Sequence, residues 1–289
     1  MNAGPTILDE QVPRRSADGR CGLLVSVRDE SEAREALAGG ATIVDVKEPG
    51  RGPLGAAAGD VTARIAAVVG RRTPWTLAGG ELRDGVAAIH DHVGRTIALL
   101  DADCLPPAAA KAGLAGTAAG DWRSLLAAFK AGLPAGIEPV AVAYADWDRA
   151  GSPPPEEVIA AAIAAGYRLL LADTFDKSGP PVVCDAESAR RVGGWIVRAR
   201  RGGMRAVLAG NLTLEALPAA VACGPDVVAV RSAACVGGRS GTVCGKLVRR
   251  LGKLCGLAGV DPVADALVRR ALEPEREIAG SAGTPFPRP

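Results

Sequence analysis

The chain is poor in aromatic residues, poor in histidine and, among its cations, poor in lysine. Trp, Tyr and Phe make up only 3% of its 289 residues. Proteins that stack bases need aromatic platforms. With 34 basic against 32 acidic residues, a net charge of +2, there is no basic excess to grip a nucleic acid or an anionic membrane. Neither partner is expected. No apolar run reaches the roughly 18 residues of a membrane-spanning helix. The first 20 residues (MNAGPTILDEQVPRRSADGR) contain no apolar core of the secretory type. Seven cysteines, Cys21, Cys104, Cys184, Cys223, Cys235, Cys244 and Cys255, form no CxxC pair. They read as free thiols in a reducing compartment, so a cytoplasmic location is expected. The only histidines, His90 and His92, fall in one helical stretch and read as a solvated helix face. A multi-histidine metal site is thereby excluded and a Ser-His-Asp triad is not expected. No metal or organic cofactor is expected.

Of the 34 basic residues only six are lysine: Lys47, Lys111, Lys130, Lys177, Lys246 and Lys253. A chain that uses arginine for most of its positive charge retains lysine where an amine that can lose its proton is needed. Lys130, Lys246 and Lys253 sit in helical patterns among polar neighbours and read as ordinary surface cations. The other three are candidates for chemistry.

Short apolar runs alternate with helical stretches along the chain. Strands are expected at GLLVSV (22–27), ATIVDVK (41–47), PWTLAG (74–79), PAAAKAGL (107–114), EPVAVAYAD (138–146), YRLLLADT (167–174), RAVLAGN (205–211) and DVVAVRSA (226–233). Helices are expected between them, with Ser31 capping the first and one long helix over 84–105. Eight βα repeats of roughly 30 residues each predict a single (β/α)8 TIM barrel over 21–259. Two doubly wound domains would need a linker and a GxGxxG turn, and the chain has neither. Residues 1–20 and 260–289 are polar or rich in Pro and Gly and are read as flexible extensions.

Active sites of such barrels lie at the carboxyl ends of the strands. The second strand ends VDVK, which puts Asp45 and Lys47 on one face. That pair fits either a structural ion pair or a lysine tuned for Schiff-base chemistry. Lys111 ends the fourth strand. Tyr144 and Asp146 close the fifth, and Asp173 and Lys177 the sixth. Three amines held close disfavour one another's protonation. Gly210 and Asn211 end the seventh strand, and Arg231, Ser232, Gly237 and Gly238 follow the eighth. These last two loops form the usual phosphate site of the fold. The loop EPGRGPLGA after Lys47 reads as turn punctuation around Pro49 and Pro53.

LLVS at 23–26, the GATIVDVKEP segment at 40–49 and GPLGA at 52–56 resemble the opening of the (5-formylfuran-3-yl)methyl phosphate synthases. This family is also called the 4-(hydroxymethyl)-2-furancarboxaldehyde-phosphate synthases. AKAGL around Lys111, YAD, LADTFDK, LAG and VRSAAC continue the match over about 22–257, with Ser232 where the family has glycine. The resemblance implies a barrel lyase of methanofuran biosynthesis that joins two glyceraldehyde 3-phosphates, with loss of phosphate and water. It implies that Lys47 forms the Schiff base and Lys111 accepts a proton, with Asp45, Asp173 and Lys177 beside them. Tyr144, Asp146, Gly210, Asn211, Arg231, Ser232, Gly237 and Gly238 are then the expected substrate and phosphate contacts. The expected partner is a small triose phosphate. Association into a homo-oligomer, common among such barrels, is also expected. Another Schiff-base aldolase or decarboxylase, or an idle phosphate-binding barrel, would share the same fold.

Overall fold

A computed structural model describes residues 11–257. Eight parallel strands close into a barrel in chain order, β8 pairing back onto β1. They are β1 (Gly22–Val27), β2 (Ile43–Val46), β3 (Trp75–Glu81), β4 (Ala109–Gly113), β5 (Glu138–Tyr144), β6 (Leu169–Asp173), β7 (Arg205–Leu208) and β8 (Val227–Val230). The helices that follow are α1 (Glu30–Ala38), α2 (Gly59–Val69), α3 (Val86–Ala98), α4 (Trp122–Gly132), a short α5 (Trp147–Ala150), α6 (Pro155–Ala164), α7 (Ala186–Arg201), α8 (Leu217–Ala222) and α9 (Gly245–Leu254). This is the (β/α)8 barrel expected from the repeats. None of its described helices is long and apolar enough to cross a membrane.

The alternation of each strand divides two cores. Ile43, Val142, Leu171 and Val227 fill the barrel, while Val44, Val46, Ala141 and Leu170 pack outward against the helices. That parity turns Asp45, Lys111 and Asp173 inward at the top of β2, β4 and β6. Alternate strands contribute to one layer in this fold, so the three meet. The alanine-rich β4 has weak intrinsic strand preference. It is held because it pairs on both edges, with β3 and β5, and is fully buried.

Two local expectations change. The N-cap of α1 is Asp29, not Ser31: its carboxylate accepts from Glu32 N at 2.9 Å, and the Ser31 hydroxyl donates to it at 2.7 Å. The long helix over 84–105 ends at Ala98, followed by a turn closed by Cys104 N on Asp101 O. Pro106 and Pro107 force the extended entry into β4. Of the N-terminal segment, residues 11–20 lie against the floor of the barrel. Val12 is buried there, its carbonyl accepts from Arg205, and Arg15 N donates to Asp226 at 2.9 Å. Residues 1–10 and the 260–289 extension lie outside the described residues.

The barrel's closing seam is α9 on α1. Gly245 N donates to Glu35 at 2.7 Å and Arg249 to Ala38 O at 3.1 Å. Gly39 sits beneath α9, where an added Cβ would lie 2.4 Å from Val248 Cβ and 2.8 Å from Gly245 O. Gly39→Ala should therefore cost about 1–3 kcal/mol, the range for overpacking. An unchanged urea midpoint for this variant would show that the seam gives more readily than this packing implies.

Candidate active site

The register of β1, β2 and β3 sets Ser26 and Thr76 on either side of Asp45. Both hydroxyls donate to its carboxylate, Ser26 at 3.0 Å and Thr76 at 2.7 Å. The ion-pair partner of Asp45 is Lys111, at 2.6 Å, from the next strand but one. On the other side Lys177 pairs with Asp173 at 2.5 Å and also donates to the Thr174 carbonyl. Asp173 additionally accepts from Thr174 N at 2.8 Å.

Lys47 is left over. It is 8% exposed, and among the described residues it has no ion-pair partner. Among those residues its amine reaches only the Pro53 carbonyl, at 3.5 Å. The EPGRGPLGA loop thus does more than turn. A 3-10 turn at Pro49–Arg51 folds it back over Lys47, bringing Pro53 O to the amine and Leu54 into the wall. Gly55 is required there, since a Cβ would lie 2.3 Å from Glu48 O.

Burial is the chief reason that the Lys47 amine is pulled down to about 7, from 10.5. The Asp45 and Asp173 charges oppose the shift, and those of Lys177 and Lys111 assist it. Burial would raise the Asp45 carboxyl, but the Lys111 and Lys47 charges and the hydrogen bonds hold it below its ordinary value. Near neutral pH the mouth therefore holds the ionised Asp45 carboxylate, paired with Lys111, beside an amine with a substantial free-base fraction.

Asp45, Lys47, Lys111, Asp173 and Lys177 face one cavity at the barrel mouth. Gly210, Asn211, Arg231 and Ser232 also line it. Gly210 (φ +105°) and Asn211 (φ +51°) take left-handed conformations, which turns the β7 loop into the cavity. A Cβ at Gly210 would lie 2.6 Å from Val182, so packing as well as backbone freedom demands glycine there.

Arg231 is at the cavity but not free for a phosphate. Its guanidinium donates to both Glu32 oxygens, to Ser26 O at 2.9 Å, to Gly241 O at 2.9 Å and, through Nε, to Arg239 O at 3.2 Å. All five of its N–H donors are in use, so it clamps the loop after β8 onto β1 and α1. Tyr144, Asp146, Gly237 and Gly238 do not line the cavity. The Tyr144 hydroxyl donates to Glu81 at 2.7 Å, and its ring meets Phe175 edge-on. Asp146 accepts from Phe175 N at 2.7 Å and Asp176 N at 2.8 Å, so it shapes the loop that carries Lys177. Gly237 and Gly238 are positive-φ turn residues of a small hairpin, β9 (Cys235–Val236) with β10 (Thr242–Val243).

Sequence reasoning missed Ser26, Thr76, Glu32, Glu81 and Arg239. Ser26 and Thr76 were legible as the polar members of the inward face of their strands, in step with Leu24 and Ala78. The i, i+4 spacing of Arg28 and Glu32 marks a helix-start ion pair, found at 3.0 Å, but not the pairing of Glu32 with Arg231. Of the remaining lysines, Lys130 donates to the Ala165 and Gly166 carbonyls at 2.6 and 2.7 Å, and Lys246 and Lys253 are exposed.

A closed barrel with an amine-lined cavity at the carboxyl ends of its strands is the build of a TIM-barrel enzyme. A family model described as 4-HFC-P synthase matches residues 23–252, and the chain belongs to that family. It is 34% identical to the (5-formylfuran-3-yl)methyl phosphate synthase of Methanopyrus kandleri, over 79% of this chain and 96% of that one. It is 33% identical to the protein of the same name from Methanocaldococcus jannaschii, over 81% and 99%. Among solved structures it is similar in fold to a phosphoribosylanthranilate isomerase from Thermotoga maritima, with TM-score 0.52, 14% identity and coverage of 82% and 98%.

The depressed Lys47 amine has a stability consequence. The unfolded chain holds that proton up to about 10.5 and the folded chain only up to about 7. Between those values the unfolded state binds more protons, so stability rises with pH. The cost of burying Lys47 is thus largest at and below about 7 and fades towards 10.5. Lys47→Met should raise the urea midpoint at pH 7, with a gain that shrinks as the pH rises. A lower midpoint at pH 7 would mean that Lys47 is held by interactions stronger than its burial cost.

Proposed function

We propose that this chain is a (5-formylfuran-3-yl)methyl phosphate synthase that condenses two molecules of glyceraldehyde 3-phosphate. The observation that carries the reading is the buried Lys47 amine, pulled down to about 7 and facing a cavity whose other two lysines are each bound to a carboxylate. An amine in this state is a nucleophile at neutral pH without help from an added base.

In the proposed reaction Lys47 attacks the aldehyde carbon of one triose phosphate, and loss of water gives an iminium. The iminium draws electrons from the adjacent C–H bond, whose proton passes to the Asp45–Lys111 pair, and an enamine forms. The enamine carbon adds to the aldehyde of the second triose, whose oxygen takes a proton from a lysine ammonium. Eliminations and ring closure then produce the furan, and the lysine returns as free amine. The atoms balance with one inorganic phosphate and two waters released, and no net oxidation or reduction occurs. The covalent iminium is the electron sink, so the sequence of steps requires no cofactor. Asp45 holds the Lys111 ammonium, and Asp173 holds that of Lys177 on the opposite wall. Gly210, Asn211 and Ser232 line the cavity, and in the proposed reaction their backbone N–H groups meet a phosphate. A doubly charged triose phosphate does not cross membranes unaided, which favours a cytoplasmic enzyme.

Incubation with glyceraldehyde 3-phosphate alone should generate the ultraviolet absorbance and mass of the furan aldehyde phosphate. Borohydride added during turnover should leave a triose-derived adduct on Lys47. Lys47→Arg should lose both product and adduct, because guanidinium cannot form an imine. Lys111→Arg should still trap an adduct while furan formation stalls. A trapped adduct without any furan, with cleavage or decarboxylation of another sugar phosphate instead, would assign the chain to a different Schiff-base reaction.

A further inference from the structure

The synthase reading requires two phosphate groups to be held at once. At the barrel mouth lies a second, shallow and open outer cavity, and Lys177 and Arg239 border both it and the cavity above Lys47. Arg239 lies in the 3-10 turn Gly238–Ser240, between β9 and β10. The buried Arg231 fixes this turn through the carbonyls of Arg239 and Gly241, so the backbone beneath Arg239 is anchored. Gly241 permits the tight fold, since a Cβ there would lie 1.9 Å from Val236 O.

The half-buried Arg239 side chain reaches over to the loop after β2, where Nη2 donates to Gly52 O at 3.3 Å. Among the described residues it has no carboxylate partner, while Lys111, Lys177 and Arg231 each have one. Burial lowers its affinity for a proton, and Asp173 opposes that shift. A guanidinium that is partly desolvated and lacks a carboxylate is suited to a bidentate anion. Arg149, on α5, borders the same outer cavity and is exposed, with one nitrogen on Asp176 at 3.1 Å.

We propose that the outer cavity is a second phosphate subsite, in which Arg239 and Arg149 hold the phosphate of the triose that does not form the imine. This rests on the synthase reading for the identity of the ligand, whereas the anion site itself rests on the two arginines. The arrangement separates the roles of the two substrates. The inner cavity presents one triose to Lys47, and the outer cavity positions the aldehyde of the other above the enamine.

The test uses the full-length protein and inorganic phosphate. Isothermal titration should show two phosphate sites per chain. Arg239→Met and Arg149→Met should each weaken one of them about tenfold or more, the scale of a lost charge-assisted hydrogen bond. Arg239→Lys, which keeps the charge, should recover part of the loss. In turnover, the Met variants should raise KM for glyceraldehyde 3-phosphate while borohydride still leaves a triose on Lys47. Phosphate binding indifferent to both arginines, in a chain that makes furan, would overturn the subsite and leave the synthase reading intact. Trapping on Lys47 lost together with the KM shift would overturn its assignment to the second triose. Phosphate binding that needs both arginines, in a chain that makes no furan, would support the anion site and remove the synthase reading.

Discussion

Three lysine amines and two carboxylates face one cavity at the barrel mouth, and that imbalance governs the site. Asp45 takes Lys111 and Asp173 takes Lys177, both within ordinary ion-pair distance. Lys47 is left, among the described residues, with only a carbonyl at 3.5 Å, and burial pulls its proton off, the Asp45 and Asp173 charges resisting and those of Lys177 and Lys111 assisting. A buried ammonium without a counter-ion is the costly species, and the amine relieves that cost by releasing its proton. The same imbalance leaves one amine unpaired beside two that are bound to carboxylates.

The surrounding structure maintains this arrangement. Strand parity turns the charged residues of β2, β4 and β6 towards the barrel axis, and register places Ser26 and Thr76 against Asp45. With its oxygens satisfied, Asp45 stays ionised and binds Lys111 in preference to Lys47. Glu32 and Arg231, 2% or less exposed at their side chains, lock the β8 loop to α1. Burial would push the Glu32 carboxyl up, but the Arg231 partner and the other hydrogen bonds keep it low. Such pairs cost about as much in desolvation as they return, and their effect here is to fix loop geometry. Around the mouth, the Asp146 carboxylate and the Tyr144–Glu81 contact shape the neighbouring loops from outside the cavity.

The barrel was legible from its repeats, and the three lysines that line the cavity from the bias towards arginine. Both are local properties of the chain. The pairing within the site was not legible. Asp45 and Lys47 are sequence neighbours on one face, yet the ion pair forms with Lys111, 66 positions away, because β4 lies next but one to β2 in the barrel and turns Lys111 into the same layer. Arg231 looked like a phosphate ligand from its place after β8. Its partner Glu32 lies on α1, and only the closed ring brings the two together. Tyr144 and Asp146 sat at the expected strand end, but the first points to Glu81 and the second serves backbone amides. Asp29 outcompeted Ser31 as the helix cap by a shift of two positions, a local choice that spacing alone does not decide.

With only six lysines in the chain, each amine can be followed individually by nuclear magnetic resonance after isotopic labelling of lysine. The account predicts one signal that titrates with a midpoint of about 7 and disappears in Lys47→Arg. If the Lys47 signal instead titrates at the ordinary lysine value near 10.5, the amine is not tuned by burial, and the central claim fails.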